Sequence, residues 1–323
     1  MHRYRWKIKP LCKYLIGFVF VLVQAQTIAD DNKAVFTQIS NESFTGRLWL
    51  PENIGSNPAI LLIGGSGGGY ENQDAKWLSS AGFVVLNVRY FGVKGLPDNL
   101  VNIPIEYFHN ALHWLNKHEA VQQGAIGLFG HSKGTEAAIL TAHNNELVKA
   151  VVLRAPSAIV WAGPGWAGFN ESSWTVGQVP LNFHSVGLID GAVWLSRILR
   201  NKKMITTREM FENALLEQSK AEQALLPVNE IKAHLLLLSG RDDKQWPSTV
   251  MANTLTSILT MSDFNYRYQH IAFENAGHRP GRQSKPDDTF ANGGTVQGNS
   301  KAHEQTKIEV KAFFDTALRT FHK

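Results

Sequence analysis

Residues 59–63 (Ala-Ile-Leu-Leu-Ile), 84–88, 125–129, 150–153 and 234–238 are short, nearly continuous apolar runs. That is the pattern of strands buried on both faces. Residues 44–50 and 266–271 read as two further strands. Between the runs lie stretches with helical spacing. Residues 74–80 end at Gly82, a C-cap glycine, and Pro104 opens a helix to about residue 118, with Ile105, Phe108, Leu112 and Leu115 on one face. Helices are also predicted over 135–143, 247–259 and 302–321. Alternating strand and helix of this length predict a mostly parallel central sheet with helices on both faces. The rhythm breaks over 155–230, a stretch with Trp161, Trp166, Trp174 and Trp194 and one helix near 208–224. This stretch reads as a cap-like insertion after the sixth strand. A polar loop is predicted over 279–300.

The first 29 residues differ from the rest. Arg3, Arg5, Lys7, Lys9 and Lys13 precede an apolar run over 14–23, and Val23-Gln24-Ala25 offers small residues at cleavage spacing. Basic, apolar, small is the order of a secretory signal peptide. The apolar run is short for a membrane span, which needs roughly 20 residues. Residues 1–29 are therefore expected to be a signal peptide, cut near Gln26 or Asp30, with a periplasmic or secreted product. The alternative is a membrane anchor formed by an uncleaved leader. Residues 30–323 are expected to form a single catalytic domain with no stable span of its own.

The leader also accounts for the charge. Of 32 basic residues it holds five and no acidic ones, so the remaining 27 match the 27 acidic residues, and the net +5 argues for no nucleic-acid partner. The only cysteine, Cys12, lies in the leader, which removes disulfides and thiolate catalysis from the mature chain. No metal-ligand spacing and no cofactor motif stands out. In the glycine-rich loop 64–69, Gly65-x-Gly67-x-x is followed by Tyr70 where a dinucleotide fingerprint needs its third glycine.

Gly130-His131-Ser132-Lys133-Gly134 matches G-x-S-x-G directly after an apolar strand and before a helix. That is the sharp turn on which an exposed nucleophilic serine sits in the α/β-hydrolase fold. A serine hydroxyl needs a base to take its proton. In the chain order Ser, Asp/Glu, His, the base should follow the last strand. His278, in Asn275-Ala-Gly-His278, fits best, with His270 and His303 as rivals. The orienting acid should follow the strand at 234–238, where Asp242 and Asp243 are adjacent, and Asp243 is preferred. The Lys133 backbone N–H should supply one oxyanion donor and the glycine loop, near Ser66 or Gly67, the second. Trp161, Trp166 and Trp174 are candidates to line an acyl pocket, with simple packing the alternative.

At these residues the chain is similar to the acyl-CoA thioesterase and bile acid-CoA:amino acid N-acyltransferase family. The similarity runs from about Pro58 to the C-terminus. It includes the glycine loop, residues 82–91, Leu96-Pro97, Glu106-Tyr107-Phe108, the 130–134 motif, Gly240-Arg241-Asp242-Asp243 with Trp246, Gly277-His278, and Gly293-Gly294. The resemblance implies an acyl-serine mechanism on a small acyl thioester or ester. Alternatives are acyl transfer to an amine or alcohol, or a carboxylesterase of another substrate. In that family the nucleophile is serine in the hydrolases and cysteine in the transferase, so Ser132 implies hydrolysis. The β-sandwich ahead of the catalytic domain in multi-domain members is expected to be reduced here to a remnant strand.

Overall fold

A computed structural model describes residues 27–29, 35–53, 55–165, 168–187, 189–193, 196, 206–280 and 292–319. Trp166, Trp194, most of the expected leader and part of the 279–300 loop lie outside these residues.

Among the described residues the main sheet has nine strands. In chain order they are β1 (Thr27–Ala29), β2 (Val35–Ser40), β3 (Thr45–Trp49), β4 (Asn57–Ile63), β5 (Val84–Arg89), β7 (Val121–His131), β8 (Val148–Arg154), β11 (His234–Gly240) and β12 (Tyr268–Phe273). Their spatial order is β1-β2-β3-β5-β4-β7-β8-β11-β12. The strands from β5 to β12 are parallel, and β1, β2 and β3 extend one edge in antiparallel fashion. The strand expected over 44–50 is β3, hydrogen-bonded to β5 as part of the main sheet.

Side chains alternate between two cores, as the period of two in a strand requires. Leu61 and Ile63 of β4, with Leu235 and Leu237 of β11, join the core under α2 (Glu106–Asn116), α3 (Lys133–Ala142) and α6 (Ser248–Met261). Ile60, Leu62, Leu236 and Leu238 face the opposite core under α1 (Asn72–Ser80) and α7 (Val296–Arg319). Both faces are covered, which is why these runs read as unbroken apolar stretches.

Several expectations change. Pro104 does not open α2; with Ile103 it forms β6, which pairs in parallel with β9 (Trp174–Val176). Proline is tolerated there because the ladder uses the N–H groups of Ile103 and Ile105, on either side of it. β9 pairs in turn with β10 (Val179–Pro180), giving a three-stranded sheet that ties the cap-like insertion to the main body. The insertion leaves from β8, which among the described residues is the seventh strand of the main sheet and not the sixth.

The helix expected over 208–224 is two helices, α4 (Arg208–Leu215) and α5 (Gln218–Gln223). Phe211 and Leu215 share a face, but Ala221 and Ala224 would fall off that face in one continuous helix. The break at Leu216–Glu217 brings them back against the core. The last helix starts at Val296, six residues earlier than expected.

Candidate active site

The parallel strands place the chemistry-bearing loops together, since β4, β7, β11 and β12 all end at one edge of the sheet. Ser132 follows β7 directly and takes φ 54° and ψ −126°, a conformation a non-glycine residue adopts only under constraint. The constraint is visible at the flanking glycines. A Cβ on Gly130 would sit 2.5 Å from the Gly134 carbonyl oxygen, and one on Gly134 would sit 2.4 Å from those of Ile63 and Gly64. The Ser132 N–H donates to the Arg154 carbonyl at 2.9 Å, and Arg154 makes a buried two-point ion pair with Asp74 of α1. The helix α3 begins at Lys133, so its free N–H groups face the serine.

The structure brings Ser132, Asp243 and His278 together. His278 Nδ1 lies 2.8 Å from Asp243 Oδ2, and His278 Nε2 lies 2.9 Å from Ser132 Oγ. A carboxylate accepts only, so Nδ1 carries the proton and Nε2 is left to accept from the serine hydroxyl. All three side chains are buried. Asp243 also accepts the backbone N–H groups of Gln245 (2.9 Å) and Trp246 (3.2 Å) and the Ser248 hydroxyl (2.6 Å).

Asp242 faces away from the histidine. It pairs with Lys244 and accepts the Gly294 N–H at 2.8 Å. Partial burial works against its charge, but the Lys244 ammonium and that N–H hold its carboxyl below the usual range. The rival histidines lie elsewhere. His270 Nε2 is bonded to Ser239 Oγ at 2.8 Å, and His303 sits beside Glu304 on α7.

The His278 loop is clamped by the segment that precedes α7 and by the first turn of that helix. The His278 N–H donates to the Asn292 carbonyl, and the Gly277 N–H donates to Asn299 Oδ1. Gly293 leaves no room for a side chain, because a Cβ there would lie 1.7 Å from the Asp242 carbonyl oxygen.

A cavity of about 450 Å³ opens beside Ser132 and His278. Lys133 and Ser66 line it, whereas Gly67 does not. Gly65 comes against the serine, where a Cβ would sit 3.0 Å from Ser132 Cβ. The Tyr90 hydroxyl, kept protonated by burial and by the nearby Glu136 and Glu71 charges, donates to the Gly64 carbonyl at 2.6 Å and so fixes this loop. Trp161, Phe211 and Trp246 form an aromatic wall of the cavity. Trp161 meets Phe211 edge-on at 4.8 Å, and Trp246 meets His278 edge-on at 5.6 Å. Trp174 is not a wall residue. It is fully buried, packs on Tyr90 and Phe108, and donates its indole N–H to Glu136.

Sequence reasoning passed over Ser248, Asn299, Tyr90 and Glu136. Glu136 carried a signal: it is the lone acid of an apolar helix, three residues after Lys133. Ser248 and Asn299 carried none, since their roles exist only through contacts made by the fold.

A family model described as BAAT / Acyl-CoA thioester hydrolase C terminal matches residues 103–320. The chain belongs to this family. Similar proteins include acyl-coenzyme A thioesterase 6 of Mus musculus, 27% identical over 84% of this chain and 62% of that protein. Bile acid-CoA:amino acid N-acyltransferase of Mus musculus is 25% identical over 75% of this chain and 53% of its own length. The chain thus spans between about half and two thirds of these curated relatives. Among solved structures, an acylaminoacyl peptidase of Pyrococcus horikoshii superposes with a TM-score of 0.55 at 14% identity, covering 93% of this chain and 43% of that one. A dienelactone hydrolase-like promiscuous phosphotriesterase from metagenomic libraries gives 0.53 at 11% identity, covering 91% and 98%. These likenesses show the α/β-hydrolase fold.

Proposed function

We infer that this member of the family is a serine hydrolase that cleaves acyl thioesters or esters through an acyl-Ser132 intermediate. The observation that carries the reading is His278, within 2.9 Å of the Ser132 hydroxyl on one ring nitrogen and 2.8 Å of Asp243 on the other. In the proposed reaction His278 Nε2 takes the hydroxyl proton as Ser132 Oγ attacks the acyl carbon. The charge that develops on the carbonyl oxygen meets the Lys133 N–H at the start of α3 and a second donor near Ser66. His278 then returns the proton to the leaving sulfur or oxygen, and water repeats the sequence to release the acid. The cavity's aromatic wall suits an apolar acyl group.

Acyl-chain panels of oxygen and sulfur esters test this. The wild type hydrolyses a subset of both, and Ser132→Ala hydrolyses none. Full activity of Ser132→Ala on every substrate overturns the reading. A second reading, acyl transfer to an amine or alcohol, is favoured by similarity to the mouse N-acyltransferase. Product analysis with added glycine separates the two, because transfer yields the N-acylglycine in place of free acid.

Export belongs to the same proposal, supported by the basic-apolar-small order of the first 25 residues. Because Thr27–Ala29 pair with β2, cleavage at the earlier boundary, before Gln26, keeps that strand in the mature sheet. N-terminal sequencing of native protein should return Gln26, and Met1 in a cytoplasmic fraction contradicts export.

A further inference from the structure

Lys133 and Glu136 lie in the first turn of α3, directly after the proposed nucleophile, and the reaction uses neither side chain. They form an ion pair at 2.9 Å with side chains only 7% and 0% exposed. Burial pulls the Lys133 ammonium toward its neutral form and pushes the Glu136 carboxyl up, each against the attraction of its partner. An apolar pair would fill the same space without removing two charges from water. What the charged pair supplies is directed hydrogen bonding.

Those bonds end at the start of the cap-like insertion. Lys133 Nζ donates to the Trp161 carbonyl at 2.9 Å and lies 3.5 Å from that of Ala162. Glu136 Oε2 accepts the Trp161 N–H at 3.2 Å and the Trp174 indole N–H at 2.8 Å. The Ser173 hydroxyl also donates to the Trp161 carbonyl, at 3.1 Å. Trp161 is therefore held at both its N–H and its C=O by the helix that begins directly after Ser132, while its ring walls the cavity.

The geometry points to Lys133 and Glu136 as positioning residues that fix the Trp161 wall relative to the Ser132 hydroxyl, and thereby set how strongly the site favours long acyl chains over short ones. This rests on the reading that the cavity receives the acyl chain.

Calorimetric titration with straight-chain carboxylates, from butanoate to dodecanoate, tests it without turnover. Each methylene packed on a fixed wall raises wild-type affinity about fourfold. In Lys133→Met/Glu136→Gln, which leaves no lone buried charge, the gain falls below about twofold per methylene as the wall loosens. Glu136→Gln alone keeps an acceptor for the Trp161 and Trp174 N–H groups and retains most of the wild-type gain. A double variant with the wild-type increment and only a lower melting temperature overturns the proposal, since the pair then serves stability alone. A wild type indifferent to chain length overturns it as well. If the double variant is insoluble, Lys133→Leu/Glu136→Gln, which likewise leaves no lone buried charge, is read by the same titration, with the same expected loss and the same contrary result. Fluorophosphonate labelling of Ser132, run alongside, reads the hydrolase assignment separately: absence of label with chain-length dependence intact removes that assignment and leaves the wall in place.

Discussion

Replacing Asp243 by asparagine keeps the shape of the side chain and removes one acceptor oxygen, and the surroundings decide which one. One oxygen of Asp243 accepts two backbone N–H groups, at 2.9 and 3.2 Å. The other accepts Ser248 at 2.6 Å and His278 at 2.8 Å. An amide NH2 turned toward the two N–H donors would leave three donors facing one another. The favoured orientation sets the amide oxygen there and the NH2 against His278 Nδ1. That nitrogen must then accept, which moves the ring proton to Nε2 and removes the lone pair that should take the Ser132 proton. The expected loss in kcat is about 10⁴-fold, or roughly 5.4 kcal/mol of transition-state stabilisation. Folding should change by only about 1 kcal/mol, since Ser248 can rotate to accept from the amide. Asp242→Asn keeps its acceptor for Gly294 and loses only an exposed ion pair, so kcat should fall by less than about tenfold. Steady-state kinetics on a chromogenic ester, normalised by active-site titration, read both variants. An Asp243→Asn enzyme within tenfold of wild type, or an Asp242→Asn enzyme more damaged than it, refutes this reasoning.

Three further outcomes follow from named contacts. Tyr90→Phe strips the buried Gly64 carbonyl of its donor, which should lower stability by about 1–3 kcal/mol and slow acylation severalfold; equal melting curves and burst rates contradict it. Gly134→Ala should yield no soluble, labelled protein, because its Cβ meets the Ile63 and Gly64 carbonyls at 2.4 Å; a folded, active variant contradicts that contact. His270, His109, His118 and His234 are all held below their ordinary pKa, chiefly by burial. Groups with a lowered folded pKa contribute stability that is present above about pH 6.5 and lost as pH falls through the folded values. The thermal midpoint should therefore drop on acidification below that point, with a shallower slope in His270→Gln, and a flat profile contradicts the assignment.

The parts of this fold that could be read from sequence are those whose local pattern and tertiary role coincide. Residues 59–63 and 234–238 are apolar at every or nearly every position because both faces of β4 and β11 are covered. The sharp turn at Ser132 could be read because Gly130 and Gly134 answer to contacts within a few residues of Ser132 and to the neighbouring strand end. The His278 loop could be read from chain order. Strand β2, by contrast, buries Phe36 and Ile39 in a polar context and has no such signature. Pro104 looked like a helix start because its partner, Thr175, is some seventy residues away. The split between α4 and α5 follows from which side chains the cap must bury, and the roles of Ser248, Asn299 and the Lys133–Glu136 pair depend on loops that meet only after folding.

The central claim is that Ser132 becomes covalently acylated with His278 as its base. Intact-protein mass spectrometry after brief exposure to a fluorophosphonate, followed by peptide mapping, tests it most directly. The account predicts a single adduct on Ser132, absent in Ser132→Ala and slowed by orders of magnitude in His278→Ala, with ester and thioester hydrolysis abolished in step. An active wild type that takes up no adduct at Ser132, or a His278→Ala variant labelled at the wild-type rate, contradicts it.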